Sequence, residues 1–133
     1  MANLIYPKGK ENFLNGEIDL SDDTIKVALV DTGTYTYSAA DDFYDDVSGV
    51  LGTPATLASK TVTSGVFDAA DTTFTTPAAG TTIEALVLYK DTGSAGTSPL
   101  IAYLDTATGL PFTSNGADVT IVWDSGGNKI FAL

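Results

Sequence analysis

Four aspartates in six positions open the chemical question. The stretch "SAADDFYDDVSG", residues 38–49, carries Asp41, Asp42, Asp45 and Asp46 around Phe43 and Tyr44. Carboxylates at this density suit a cation site, a general acid–base pair, or the solvated side of a short helix. The calcium loop pattern D-x-[DN]-x-[DN]-G is missing here, as is a Glu to close it. Ala40, Phe43 and Val47 fall at helical spacing, and Ser38 followed by Asp41 suits a capped start. The spacing therefore predicts a short helix over residues 39–47 with its acids in water. Its like-charged i,i+4 pairs, Asp41/Asp45 and Asp42/Asp46, would cost roughly 0.2–0.5 kcal/mol each.

The rest of the composition narrows the chemistry further. The chain has 133 residues with no His, no Cys and only Lys as a base, six of them against 17 acidic residues for a net charge of −11. Nucleophilic triads, thiol chemistry and almost all transition-metal sites go together when His and Cys are both absent. A carboxylate pair or a Ser/Lys dyad remains. Most aspartates, however, sit in turn contexts such as "LSDDT", "VDTGT", "KDTGS" and "WDSGG", where they bond to nearby backbone. The expectation is a protein that is not an enzyme and holds no cofactor or metal. Phosphate and anionic lipid would both be repelled by this charge, so neither nucleic acid nor a membrane is an expected partner. No apolar run is long enough to span a bilayer, and the start lacks the apolar segment of a signal peptide.

The elements that would position any site read as strands and turns. "TIKVALVD", residues 24–31, alternates Ile25, Val27 and Leu29 on one face. "TIEALVLYKD", residues 82–91, is nearly continuous in apolar residues, as a strand buried on both faces would be. "TGSAGTS" is a hairpin loop and "PLIAYLD" its return strand. "GVFDAADTTFTT" gives two short strands around a corner, and "ADVTIVWD" with "KIFAL" flanks "SGGN" as a closing hairpin. Val119, Ile121 and Trp123 share one face, with the single Trp in the core. "KENFLNG" fits one helical turn ended by Gly16 in a left-handed conformation. About seven or eight strands in one domain predict an all-β, single-domain β-sandwich, jelly-roll or immunoglobulin-like, with one or two short helices.

Two surfaces stand out as binding candidates. Residues 1–10, "MANLIYPKGK", carry two lysines and no acid, while residues 11–133 hold four lysines and all 17 acids. Leu4, Ile5, Tyr6, Lys8 and Lys10 thus form a basic, partly apolar arm ahead of the sandwich domain at residues 11–133. An edge strand of the protein's own sandwich is the alternative for the same residues. Tyr35, Tyr37 and Tyr44 form the second surface. They cover the end of the sandwich beneath the acidic helix, or, if exposed, would stack on sugar rings.

Several segments together resemble small virion structural proteins of tailed bacteriophages and prophages: "FLNGEIDLSDDTIKVALVDT", "DDFYDDVSG", "GVFDAADTTFT", "LVLYKDTG", "SPLIAYLDTATGLP" and "NGADVTIVWDSGGNKIFAL". The resemblance runs from Phe13 to Leu133 and rests on packing and turn signatures. Within that group, an acidic one-domain β protein with a short N-terminal arm is similar to head decoration (cement) proteins. The resemblance implies a virion location on the outer capsid after synthesis in the bacterial cytoplasm. It also implies the major capsid protein as partner and a homo-oligomer, a trimer above all. The alternatives are a tail or head–tail junction component, a glycan-binding module using the three tyrosines, and, weakest, a carboxylate-dependent hydrolase.

Overall fold

The computed structural model of the chain describes residues 3–107, 109–123 and 129–132. Along it run β1 (Leu4–Ile5), α1 (Pro7–Leu14), β2 (Ile25–Val30), β3 (Val50–Thr56), β4 (Thr61–Thr63), β5 (Val66–Asp68) and β6 (Thr72–Phe74). Then follow β7 (Thr82–Ile83), β8 (Ala85–Lys90), β9 (Leu100–Leu104), β10 (Phe112–Thr113), β11 (Val119–Ile121) and β12 (Phe131–Ala132). The protein is all-β and sandwich-like, with one α-helix among the described residues.

Its spine is a five-stranded antiparallel sheet in the order β1-β9-β8-β2-β3. β2 and β8 pair from Ile25↔Lys90 to Val30↔Ala85 at the centre. Alternation sends Ile25, Val27, Leu29, Leu86 and Leu88 to one face, and Ala28, Val30, Ala85, Val87 and Tyr89 to the other. Both faces are covered, which is why β8 reads as an apolar run and not as an in–out alternation.

The first face packs on a second layer of short ladders: β12-β5-β4, β11-β6 and β10-β7. Phe67, Phe74, Ile121, Trp123 and Phe131 supply its side of the core. The corner in "DAAD" carries the chain from the β5 ladder to the β6 ladder, as its sequence suggests. Trp123 is buried, and its indole N–H donates to the Ala70 carbonyl at 3.1 Å and to Thr72 Oγ1 at 3.3 Å.

The second face is roofed by residues 31–49, through Tyr35, Tyr37, Tyr44 and Val47. Asp31 starts this excursion: its carboxylate accepts the Gly33 N–H at 2.8 Å, and its carbonyl accepts those of Thr34 and Tyr35. Gly49 ends it at φ +66°, its own carbonyl taking the Asp31 N–H. A Cβ at Gly49 would lie 2.9 Å from the Asp31 carbonyl oxygen, so no other residue fits there.

Three expectations are corrected. The helix over residues 39–47 is only a 3₁₀ turn, Tyr44–Asp46. Asp46 Oδ2 accepts the backbone N–H of Asp42 at 2.9 Å and of Phe43 at 3.4 Å, a local alternative to helical bonding. The closing hairpin does not form among the described residues: β11 pairs with β6 and β12 with β5, while its turn at residues 125–128 lies outside them. Finally, of the two readings of the first ten residues, the fold adopts the edge strand and not an appendage to a body starting at residue 11. β1 is hydrogen-bonded to β9, and α1 crosses the expected boundary. The helix starts at Pro7, where a missing N–H costs nothing, and the chain turns away at Gly16 with φ +75°.

Candidate functional site

The corner formed by β1 and α1 is built around Tyr6. Its N–H donates to the Ile101 carbonyl at 3.0 Å, extending the β1–β9 pairing by one residue before Pro7 turns the chain into α1. Its ring is fully buried against the tyrosine-rich face of the sheet. There the Tyr6 hydroxyl meets that of Tyr35 at 2.7 Å, and Tyr35 donates to Asp41 Oδ2 at 2.6 Å. Burial raises the pKa of both phenols well above the ordinary tyrosine value. For Tyr35 the hydrogen bond to Asp41 pushes the same way, so both stay protonated donors at neutral pH.

α1 lies against a bulge in β9. The register shifts between the pairs Leu88↔Ala102 and Tyr89↔Leu100, leaving Ile101 as the extra residue. Gly9 sits on that bulge and is buried; a Cβ there would come within 2.8 Å of the Leu100 carbonyl oxygen and 3.0 Å of that of Ile101. A helix can approach the strand this closely only through glycine.

The result is an edge strand and helix hydrogen-bonded and packed onto β9, not a separate arm. Leu4 pairs with Tyr103 and is 37% exposed, and Ile5 pairs with Ala102 and is half-buried. Together with Asn3 and Lys10 they face Leu104, Phe131 and Ala132 across a groove of about 480 Å³. The walls are largely apolar, with one cation from Lys10. Of the five residues singled out in the sequence, the groove therefore brings together Leu4, Ile5 and Lys10. Tyr6 is withdrawn into the core, and Lys8 is exposed with its ammonium 3.2 Å from Glu11. Leu104, Phe131 and Ala132 were not legible as lining residues, because nothing local marks the last strand as a neighbour of the first.

The other candidates take structural places. Tyr35 is buried, Tyr37 lies between Tyr6 and Tyr103 with ring centroids at 5.1 and 5.4 Å, and Tyr44 stacks on Tyr89 at 4.0 Å. The three do not form an open sugar-stacking platform. In the acidic stretch, Asp41 and Asp46 are engaged by Tyr35 and by backbone N–H groups. The Asp42 N–H in particular holds the Asp46 carboxyl below its ordinary range. Among the described residues, no three His, Cys, Asp or Glu side chains are placed to hold a metal ion, and no helix is long and apolar enough to cross a membrane.

No family model matches the chain, and no curated protein matches it.

Proposed function

We propose that this protein is a bacteriophage virion structural protein of the head decoration type, docking on the major capsid protein through the β1–α1 corner. The observation that carries the reading is the groove itself. It combines apolar walls with a lysine from the first ten residues, which carry no acid, and the backbone of β1 is held in the sheet. A surface of this kind loses little conformational entropy on binding, while the acidic remainder favours solubility before assembly. The resemblance over residues 13–133 favours the same setting. No catalytic residue is needed: a cement acts by adding contacts at many equivalent sites on the shell. Homo-oligomeric copies, trimers above all, would raise avidity through that repetition.

The test is addition of the purified full-length protein to undecorated heads. Saturable, lattice-matched binding and greater resistance of the particles to heat are expected. Leu4→Asp combined with Lys10→Glu changes two exposed groove residues, so it should stay folded and lose binding. Recovery of the wild-type protein at only a handful of copies, at the neck or tail, would overturn the decoration assignment in favour of a junction component. Undiminished binding by the double variant would remove the corner from the interface.

A further inference from the structure

A second cavity lies at the other end of β9. Leu104 lines the groove of the corner, whereas Pro99, one residue before β9, lines a pocket of about 410 Å³ beside the β8–β9 hairpin. Five strand residues separate the two, about 17 Å at 3.3–3.4 Å per residue. The volume falls within the roughly 300–1,000 Å³ of small-ligand sites.

One wall comes from the end of α1 and the turn after it: Asn12, Asn15 and Glu17. No described residue hydrogen-bonds to either amide side chain or to the Glu17 carboxylate, so two groups able to donate and accept and one able to accept are open to a ligand in place of water. The rest of the lining includes Phe43, half-buried, with Thr92 and Thr97. Phe43 sits on backbone tied down on both sides: it bridges Pro99, the Tyr44 N–H donates to the Ser98 carbonyl at 2.9 Å, and the Leu100 N–H donates to the Asp42 carbonyl at 3.0 Å. The two threonine hydroxyls are joined at 2.6 Å. An aromatic ring on fixed backbone, lining one pocket with two side-chain amides and a carboxylate, suits a ligand with an apolar C–H face and a hydroxyl-bearing edge.

Charge narrows the class. The only cation in the pocket, Lys90, is already engaged, with its ammonium 2.7 Å from the Glu17 carbonyl and 3.2 Å from Asp23 Oδ2. No spare positive charge is left for an anionic ligand, and the net −11 of the chain opposes its approach. We propose that this pocket binds neutral hexose-type glycans, with Phe43 as the stacking platform and Asn12, Asn15 and Glu17 reading the hydroxyls. The site shares α1 with the docking corner but none of the residues that line its groove. Copies seated by that corner would carry it at the far end of β9.

The experiment is a two-dimensional ¹⁵N NMR titration of the full chain with the methyl glycosides of glucose, galactose, mannose and N-acetylglucosamine. At least one should produce saturable shifts in the side-chain amides of Asn12 and Asn15 and in the backbone of residues 92–97. An affinity near 1 mM, about −4 kcal/mol, is the scale expected for one sugar ring in an open site. Phe43→Ala should weaken binding at least about tenfold. Because Phe43 also packs, the double variant Asn12→Ala, Asn15→Ala serves as the second arm: it should keep the wild-type melting temperature and lose binding to a similar extent. Absence of saturable shifts with all four glycosides, or shifts that persist unchanged in the double variant, would overturn the proposal.

Discussion

Replacing Gly9 by Ala tests the close approach on which the β1–α1 corner depends. In an exposed helix interior this change stabilises, because Ala is about 0.8–1.0 kcal/mol better than Gly in helix propensity. Here the new methyl would lie 2.8 Å from the Leu100 carbonyl oxygen, 3.0 Å from that of Ile101 and 3.2 Å from the Ile101 Cα. All three are backbone atoms of a strand laddered to β8, and the Ile101 carbonyl also accepts the Tyr6 N–H. No side-chain rotation can relieve the contact, so α1 must lift off β9. Overpacking of this kind costs roughly 1–3 kcal/mol, and the absence of a soft neighbour argues for the upper part of that range. After subtracting the propensity gain, a net loss of about 1–2 kcal/mol is expected. For a domain of this size that corresponds to a fall of roughly 3–10 °C in Tm. Urea denaturation and thermal melting would measure it, with Lys10→Ala, one residue on and exposed, as the reference expected within about 0.5 kcal/mol of wild type. A Gly9→Ala protein as stable as wild type, or more so, would show that α1 does not press on the β9 bulge.

Other substitutions probe the two faces of the sheet. Trp123→Ala should cost roughly 3–5 kcal/mol, with native fluorescence blue-shifted; emission like that of free tryptophan would contradict the burial. Tyr35→Phe removes the hydroxyl joining Tyr6 to Asp41 and leaves a buried phenol short of a partner, so a loss of about 1–3 kcal/mol is expected in urea. An unchanged midpoint would mean that this link contributes nothing net. Acid should destabilise the fold. The Gly93 N–H and Lys26 hold the Asp91 carboxyl below its ordinary range, and the Asp42 N–H does the same for Asp46. A depressed carboxylate contributes stability that is present above about pH 4 and is lost as the pH falls through its folded value. Urea midpoints should therefore hold between about pH 6 and 8, where no histidine titrates, and fall toward pH 3. A midpoint that rises on acidification would refute the assignment.

How much of this was legible in the chain follows from the range of each signal. Short-range patterns were readable. The alternation of Ile25, Val27 and Leu29, the doubly buried run of β8, the return strand after "TGSAGTS", Gly16 ending α1 and Trp123 in the core all depend on residues a few positions apart, and the fold keeps them. The absence of His and Cys likewise bounds the available chemistry with no reference to structure. What the local pattern left open was partner choice. A two-residue strand such as Leu4–Ile5 has too little alternation to decide between an arm and an edge strand, and it is an edge strand because β9 offers an edge about a hundred residues away. Tyr6 reads as part of a basic arm until the hydroxyl of Tyr35, 29 positions on, gives it a buried partner. Asp41 and Asp46 sit at helical spacing, yet one binds that tyrosine and the other the backbone N–H groups of its own turn, so the helix is lost. β11 and β12 read as each other's neighbours across a Gly-rich turn, but among the described residues their partners are β6 and β5. Spacing along a chain encodes which conformations are locally cheap. Which edges meet is decided by the summed burial and hydrogen bonding of segments distant in sequence, and both the groove beside β1 and the Phe43 pocket arise at such meetings.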